Sequence, residues 1–222
     1  MQNQNTSLKS IRNLVPTISE VVPYTYDEKY NYQEIFDPII TKALNNVPTC
    51  KKPDFVHMLG IPGAGKSTFY KKNQKKFDKY LLVAFDDIME QVPQYHQDIE
   101  KLGSAKAFEH WEIPSRIAGY ELLRRAVEEK KNIFFDHGGT PACHRELLSN
   151  VQKIGYHTTM YYIDCALNVA YERAERREKE NNRHTPRKMI SDRCLLIQQN
   201  LTIYQNLVDD FKQVDAKNLS AE

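Results

Sequence analysis

The sequence predicts an α/β fold in which a parallel sheet carries helices on both faces. Short apolar segments alternate with amphipathic ones along most of the 222 residues, and this alternation is typical of parallel strands joined by right-handed crossovers. A glycine-rich turn separates the first apolar segment of the core from the helix that follows it. The length fits one α/β domain with an appended segment, and a hydrophobic content of 41% is enough for a packed core.

Apolar runs define the predicted strands. The first run, Phe55 to Leu59, ends at the glycine-rich turn, and the second, Tyr80 to Phe85, ends at an acidic pair. Runs of this length bounded by turn residues are typical of buried strands. Further strands are predicted at 133–135, 157–163 and 214–215.

Helical periodicity and capping residues define the predicted helices. We expect a helical lead-in within 24–47, which Pro38 breaks or restarts. The other helices are predicted at 66–76, from Pro114 onwards, at 141–153, at 166–180, and after the helix-start pair Thr185-Pro186. The chain is thus predicted to consist of a partly helical N-terminal extension, 1–50, and a core domain, 51–222.

Residues 60–68 match the phosphate-binding pattern G-x-x-x-x-G-K-[ST] between a strand and a helix. The glycines allow backbone angles that side chains forbid, and they let amide N–H groups point at an anion. Lys66 can reach the β- and γ-phosphates, Ser67 offers a hydroxyl to Mg²⁺, and the positive end of the next helix faces the phosphates. The loop predicts binding of a nucleoside triphosphate. Its predicted nucleotide-binding residues are Gly60, Ile61, Pro62, Gly63, Ala64, Gly65, Lys66, Ser67 and Thr68.

Acidic residues follow two other predicted strands. Asp86 or Asp87 can orient or deprotonate an acceptor hydroxyl, and a role at a helix start is the structural alternative. Asp136, after the third strand, has the position of a Walker-B acid that holds Mg²⁺ or its waters. Because the carboxyl ends of parallel strands share one edge of the sheet, we expect these acids and the phosphate loop on the same rim.

Arginines cluster in a predicted helix and in the segment after it, where they can close over a triphosphate as a lid. Arg173 and Arg177 are like charges four residues apart, which is unfavourable unless an anion lies between them. Arg176 follows Glu172 by four residues, so a surface ion pair is an equally good interpretation for it. Arg183 lies in a predicted loop before a helix start.

Composition limits the classes of function. The net charge of +2 argues against a nucleic-acid binder that works by bulk electrostatics, and the basic run 71–76 is interpreted as a solvated helix face. No apolar stretch approaches the length of a membrane span.

The pair Cys143-His144 matches no common zinc pattern. The four cysteines form no CxxC pair, which is typical of reduced thiols in a cytosolic protein. The alternative to a protein that stays in the cytosol of its own cell is one that is delivered into the cytosol of a host cell.

The ordered set of motifs resembles the zeta-toxin kinases, from about Phe55 to Asn218. The matching pieces are the phosphate loop, Asp86 with Pro93 after it, the helix of spaced arginines, Arg183-His-Thr-Pro186, and the closing Tyr204…Leu207-Val208-Asp209 helix. The resemblance implies an ATP-dependent small-molecule kinase whose relatives phosphorylate the 3′-hydroxyl of UDP-N-acetylglucosamine and are blocked by antitoxin partners. It implies that Asp86 is the catalytic base, and that Arg177 and Arg183 are lid arginines, with Arg173 as the rival of Arg177.

The acceptor side departs from the family pattern in two places. Tyr120 stands where the sugar-nucleotide kinases tend to carry a glutamate that touches the substrate, although Glu121 is adjacent. The third strand ends in Asp136-His137-Gly-Gly-Thr140 where a Glu-Gly-Thr type sequence is more usual. The predicted substrate-binding residues are Asp87, Tyr120, Glu121, Asp136, His137 and Thr140, and the predicted metal ligands are Ser67 and Asp136.

Two other functions fit the same motifs. One is a nucleoside, nucleotide or polynucleotide kinase of the same fold, which the near-neutral charge disfavours for a polynucleotide. The other is a non-catalytic ATP-binding regulatory module, which predicts ATP binding without acceptor-dependent release of ADP. A GTPase-type switch is disfavoured because the sequence has no base-reading N/T-K-x-D segment.

Overall fold

The computed structural model describes residues 12–15, 17–18, 27–181 and 185–219. Within them, five strands form a sheet in the order β2-β3-β1-β4-β5, and every strand pair is parallel. The strands are β1 (Asp54–Leu59), β2 (Leu81–Val83), β3 (Ile133–Phe135), β4 (His157–Asp164) and β5 (Asp210–Asp215). The predicted parallel α/β class is confirmed.

In the described part of the chain, eight α-helices and two short 3₁₀ helices surround the sheet, and residues 12–14 are helical as well. The α-helices are α1 (Tyr32–Asn45), α2 (Lys66–Lys72), α3 (Phe85–Met89), α4 (Pro93–Leu102), α5 (Ser104–Glu128), α6 (Cys143–Lys153), α7 (Leu167–Asn181) and α8 (Arg187–Leu207). The 3₁₀ helices are Gln74–Phe77 and Ala216–Leu219. No helix among the described residues is long and apolar enough to cross a membrane.

The strand order positions the phosphate loop. β1 lies in the middle of the sheet, paired with β3 on one side and β4 on the other. The chain leaves β1 for the edge strand β2, returns to β3, and only then crosses to β4. Ligands of such sheets bind beyond the carboxyl ends of the strands, where the order reverses. The loop after β1 lies at this reversal, with the ends of β2 and β3 beside it.

Two prolines lie inside helices, contrary to prediction. Pro38 is within α1 and Pro114 is within α5, although each was expected to break or open a helix. A proline removes one backbone hydrogen bond and crowds the preceding turn. In α1 a continuous buried stripe opposes that cost: Tyr32, Phe36, Ile40 and Leu44 recur every four residues. Tertiary packing of this apolar face outweighs the local preference.

Other boundaries also differ from prediction. The basic helix α2 ends at Lys72, and a 3₁₀ turn completes the segment predicted as one helix to residue 76. Strand β5 begins at Asp210 and pairs along β4, so it is longer than the predicted 214–215. The domain boundary at residue 50 stays a prediction. Helix α1 shares its hydrophobic core with the sheet.

The core also includes part of the N-terminal segment, by which we mean residues 12–15 and 17–18. The side chains of Leu14, Val15 and Ile18 are buried. Thr17 donates from its hydroxyl to Glu146 Oε2 at 2.7 Å, and Asn150 Nδ2 donates to the Leu14 carbonyl at 3.0 Å. Glu146 and Asn150 both belong to α6, so the N-terminal segment docks on that helix.

A buried carboxylate joins α4 to α5. Asp98 is 5% exposed, and its Oδ2 accepts hydrogen bonds from Trp111 Nε1 at 3.0 Å and from the Tyr30 hydroxyl at 3.3 Å. Burial by itself raises the pKa of Asp98, but hydrogen bonds from Trp111, His110 and Tyr30 outweigh it and hold the pKa below its ordinary value. The charged form is therefore the one that stabilises this contact.

Replacement of Asp98 by Asn is expected to lower the free energy of unfolding by about 1–3 kcal/mol, because buried donors lose a charged acceptor. The folded-state pKa is depressed, so wild-type Asp98 contributes its stability above its unfolded pKa and loses it as the pH falls through the folded value. Urea unfolding of wild type and Asp98→Asn measures both effects, and their stabilities should converge in acid. A difference that is constant from neutral to acid pH would contradict the assignment.

Candidate active site

The backbone of the phosphate loop is set by glycines that other residues could not replace. Gly63 has φ +82°, and a Cβ there would lie 2.5 Å from the carbonyl oxygen of Ala170 in α7. Gly65, at the N-cap of α2, has φ +101°. Both angles are in the left-handed region that glycine adopts at least cost. The loop therefore packs directly against the backbone of α7.

Replacement of Gly63 by Ala is expected to displace the loop, because backbone atoms on both sides of the contact cannot move aside cheaply. We expect the affinity for ATP to fall by about 10-fold or more, in line with about 1–3 kcal/mol for overpacking. Calorimetric titration with Mg-ATP measures this loss. Gly155→Ala is the matched control, because Gly155 also has positive φ but a Cβ there meets nothing within 4 Å. Equal ATP affinity in both variants would contradict the prediction.

Lys66 begins α2 and lies back on the loop. Its Nζ donates to the carbonyl oxygens of Gly60 at 3.0 Å and Ile61 at 3.3 Å. Burial lowers the pKa of Lys66, the carboxylates of Asp136 and Asp86 raise it, and two arginines lower it further. The ammonium group thus lies in an enclosed site among opposite and like charges, where an incoming phosphate would be favourable.

Ser67 and Asp136 meet at the end of β3. Ser67 Oγ donates to Asp136 Oδ2 at 3.3 Å. Burial raises the pKa of Asp136, and the nearby Asp86 raises it further, while Lys66 lowers it. A serine hydroxyl beside a carboxylate gives hard oxygen ligands of the kind that Mg²⁺ prefers, so the two predicted metal ligands fit that ion. Among the described residues, no group of three or more histidines, cysteines or acids could hold a metal by itself.

Asp86 and Asp87 are exposed residues in the first turn of α3, directly after β2. Asp86 acts electrostatically on both Lys66 and Asp136, so it belongs to the same cluster. Asp87 lies near Tyr70, whose pKa is raised mainly by burial and also by that carboxylate. The structure brings Asp86 to the phosphate loop, and it also places both acids where they interact favourably with a helix start.

The arginines of α7 differ in their contacts. Arg173 donates from Nη1 to the carbonyl of Ala64 at 3.1 Å and from Nη2 to the carbonyl of Ala216 at 3.3 Å, so it holds the loop from its carbonyl side. Arg177 donates to Thr185 Oγ1 at 2.9 Å and lowers the pKa of Lys66 by its charge. The charge of Arg177 thus acts on Lys66, while Arg173 contacts the loop carbonyls and Ala216.

Arg176 and Arg183 are the other two arginines that the sequence singles out. Arg176 is exposed, and its Nε lies 4.0 Å from Glu180 Oε1, so the ion pair is with Glu180 rather than with Glu172 as expected. Arg183 lies outside the described residues, and its role as a lid arginine stays a prediction.

One basic residue near Lys66 is missed by the sequence interpretation. Arg193, in α8, is half-buried and lowers the pKa of Lys66 by its charge. The sequence contains one signal for Arg193. It lies between Ile190 and Ile197, which form the buried stripe of α8, and an arginine within an apolar stripe is a signal of a specific anionic contact.

The predicted acceptor residues of α5 lie elsewhere than expected. Tyr120 is 1% exposed and its hydroxyl is 3.1 Å from His144 Nε2, so it is not a surface contact for a substrate. Glu121 is also buried and accepts hydrogen bonds from Arg124 and Arg125. Arg125 in turn binds Asp37 of α1. Glu121 therefore contacts two arginines of its own helix, and one of them, Arg125, links α5 to α1.

The loop after β3 carries the other predicted acceptor residues. His137 is buried, and its Nδ1 accepts from the Gly139 amide at 3.4 Å. Gly139 in turn accepts from the Tyr204 hydroxyl at 2.7 Å through its carbonyl. Thr140 is half-buried and follows directly. The Gly138 carbonyl accepts from the Gly60 amide at 3.4 Å, so this loop is attached to the phosphate loop.

The fold and the loop define the class of protein: a P-loop kinase-like α/β domain. Solved structures share this fold. A chain from the PezAT chromosomal toxin–antitoxin system of Streptococcus pneumoniae matches with a TM-score of 0.70 at 14% identity, covering 88% of this chain and 80% of that one. A candidate kinase from Chloroflexus aurantiacus matches with a TM-score of 0.52 at 14% identity, covering 77% of this chain and 90% of that one. No curated protein matches the sequence.

The sequence model of the zeta toxin family matches residues 39–221. The chain therefore belongs to the zeta toxin family, as its motifs predict. Membership supports a kinase-like, ATP-dependent phosphotransferase function, and it leaves the acceptor open.

Proposed function

We propose that this protein transfers the γ-phosphate of ATP to a hydroxyl group of a small-molecule acceptor, of which a sugar nucleotide similar to UDP-N-acetylglucosamine is the favoured class. The observation that carries the proposal is the cluster at the carboxyl ends of β1, β2 and β3. It combines a phosphate loop, a lysine, a serine–carboxylate pair and a further acid, which are the parts that phosphoryl transfer requires.

The nucleotide side would be held by the chain's own loop and basic residues. The backbone amides of 60–68 would bind the phosphate oxygens, and Lys66 would leave its two carbonyl acceptors for the β- and γ-phosphates. Ser67 and Asp136 would hold Mg²⁺, which when bound neutralises phosphate charge. Arg177 and Arg193, whose charges act on Lys66, supply positive charge around the transferring group.

The acceptor side rests on Asp86. This exposed carboxylate is close enough to Asp136 and Lys66 to act on their pKa values. It would accept the proton of the attacking hydroxyl and orient its oxygen toward the γ-phosphate. Thr140, on the loop attached to the phosphate loop, is a further acceptor contact, and so is Asp87 beside Asp86. Tyr120 is buried beside this set, and its predicted contact with the acceptor stays a prediction.

A screen for phosphorylated products tests the proposal. Purified protein is incubated with Mg-ATP and a metabolite extract, and mass spectrometry identifies any species that gains a phosphate. UDP-N-acetylglucosamine, nucleosides, nucleotides and oligonucleotide 5′ ends are tested singly. We expect a phosphorylated sugar nucleotide and a matching, acceptor-dependent release of ADP.

Other results would redirect or reject the proposal. Phosphorylation of a nucleoside or of a 5′ end would favour the alternative kinase of the same fold. ATP binding without acceptor-dependent ADP release from any compound would favour the non-catalytic regulatory module. The near-balanced charge of the chain disfavours the polynucleotide case.

An inhibitory protein partner is part of the same proposal. The likeness to a chain of the PezAT toxin–antitoxin system supports a partner of antitoxin type. Expression of the chain alone should slow growth of a host cell, and a partner encoded beside it should restore growth. Equal growth with wild type and with Lys66→Ala would count against a toxic activity.

A further inference from the structure

A chain of hydrogen bonds runs through the core beneath the candidate site. His57 of β1 contacts the carbonyl of Met58 with Nδ1 at 2.6 Å, and its Nε2 is 2.9 Å from His144 Nδ1. His144 Nε2 is 3.1 Å from the Tyr120 hydroxyl. Both histidines are 0% exposed and Tyr120 is 1% exposed. The chain thus links a central strand to α6 and α5 without contact with solvent.

The direction of this chain follows from its first acceptor. A carbonyl oxygen only accepts, so His57 Nδ1 must carry the proton and donate to Met58. A neutral His57 then accepts at Nε2, which requires His144 to donate from Nδ1 and to accept at Nε2. The Tyr120 hydroxyl must therefore donate to His144. Burial lowers the pKa of His57 to about 3 and that of His144 well below its ordinary value, so both rings stay neutral.

The Tyr120 ring contacts the residue that precedes Asp86. The ring centroids of Tyr120 and Phe85 are 4.9 Å apart. Phe85 also lies over Gly119, where a Cβ would come within 2.2 Å of its ring. Further neighbours of Phe85 are Phe135 at 5.7 Å and His137 at 5.3 Å between centroids. Phe85 opens α3, so the position of its ring fixes the start of that five-residue helix.

We infer that Tyr120 is a positioning residue for the reaction: its hydroxyl, oriented by His144 and His57, holds the ring against Phe85 and thereby sets the place of Asp86. The inference rests on the proposed function for the role of Asp86. Asp86 lies on an exposed turn of a short helix, and the residue directly before it, Phe85, is buried. A hydrogen bond in the core, rather than one at the rim, would therefore govern the approach of the acceptor.

Tyr120→Phe tests the inference, because it keeps the ring and removes the donor to His144. We expect kcat to fall by about 10-fold, since small misplacement of a reacting group has large effects, while the KM for ATP stays the same. Amide exchange at Ile88, whose N–H donates to the Ala84 carbonyl at 3.1 Å, should become about 10-fold faster as α3 loosens.

Tyr156→Phe is the matched control. Tyr156 is also a buried tyrosine, and its hydroxyl donates to the carbonyls of Ala126 and Val127 at 3.3 and 3.4 Å, at the C-terminal end of α5. The control should lose a comparable amount of stability in thermal unfolding, yet keep the wild-type kcat and the wild-type exchange at Ile88. A fall in kcat that is equal in both variants would overturn the inference, because it would show a general loss of stability.

Measurements that need no acceptor keep the inference separate from the proposed function. Nitrogen NMR of the wild-type rings should show His57 and His144 neutral and protonated at Nδ1, and any other tautomer would overturn the hydrogen-bond chain. If wild type phosphorylates no acceptor, the proposed function fails, and the exchange data alone test whether Tyr120 positions α3. Faster exchange at Ile88 in Tyr120→Phe then supports the positioning of α3, and unchanged exchange overturns it.

Discussion

Asp86→Asn is expected to lower kcat for phosphoryl transfer by about 10²–10⁴-fold, the range that general base catalysis supplies. An amide has nearly the shape of the carboxylate but cannot take the proton of the acceptor hydroxyl. The side chain is exposed in the first turn of α3 and contributes little packing, so stability should change little. Initial rates of product formation with saturating Mg-ATP measure the loss, and calorimetry should show that ATP still binds.

Asp78→Asn is the control for this change. Asp78 is also exposed, but it precedes β2 and so lies at the opposite end of the strand from Asp86. Its turnover should equal that of wild type. Undiminished turnover in Asp86→Asn would exclude Asp86 as the base and would leave it the structural role of an acid at a helix start.

Lys66→Ala is expected to abolish measurable transfer, with kcat lowered by about 10²–10³-fold or more, as for loss of a preorganised electrostatic contact. It should also weaken the binding of ATP, because the lysine charge interacts with the phosphates before and during transfer. The change removes two side-chain hydrogen bonds, those from Nζ to the carbonyls of Gly60 and Ile61. Thermal unfolding should therefore shift less than activity does.

Lys71→Ala provides the comparison on the same helix. Lys71 is an exposed residue in the last turn of α2, remote from the loop. Its removal should leave ATP affinity and kcat at wild-type values. If Lys66→Ala and Lys71→Ala bind Mg-ATP with equal affinity, the phosphate-binding role of the loop lysine is wrong.

The sheet was predictable because its signals are local. The runs at Phe55 to Leu59 and at Ile133 to Phe135 are short, apolar and bounded by turn residues, and each forms a strand. The phosphate loop was predictable because glycines are needed at fixed positions, and positive φ values occur at Gly63 and Gly65. These features depend on near neighbours in the chain, which a sequence displays directly.

Features that depend on distant neighbours were harder to predict. Pro114 was expected to open a helix, yet α5 passes through it, because residues on both sides of the proline bury one apolar face. Tyr120 and Glu121 were assigned to the acceptor by their position in the family pattern. Tyr120 contacts His144, and Glu121 is linked through Arg125 to Asp37. These partners are remote in sequence, and no local motif marks the burial of Tyr120 and Glu121.

The candidate site shows the same division. Lys66, Ser67 and Asp136 were expected together at one rim and lie together, since strand ends of a parallel sheet meet at one edge. Arg193 joins them from the last helix, and only its place between the buried Ile190 and Ile197 marks it in the sequence. The direction in which each arginine of α7 points also depends on packing. Arg173 binds a carbonyl of the phosphate loop, whereas Arg177 binds the Thr185 hydroxyl.

The docking of the N-terminal segment on α6 has a consequence for biosynthesis. Leu14 and Thr17 contact residues that are 136 and 129 positions later in the chain. At translation rates of about 5–20 residues per second, the partner residues in α6 are synthesised roughly 6–27 s after this segment. During that interval the Leu14 carbonyl and Thr17 lack their hydrogen-bond partners on α6, and Leu14, Val15 and Ile18 lack the finished core in which they are buried. The nascent chain therefore presents a short apolar sequence to chaperones and proteases until α6 has left the ribosome.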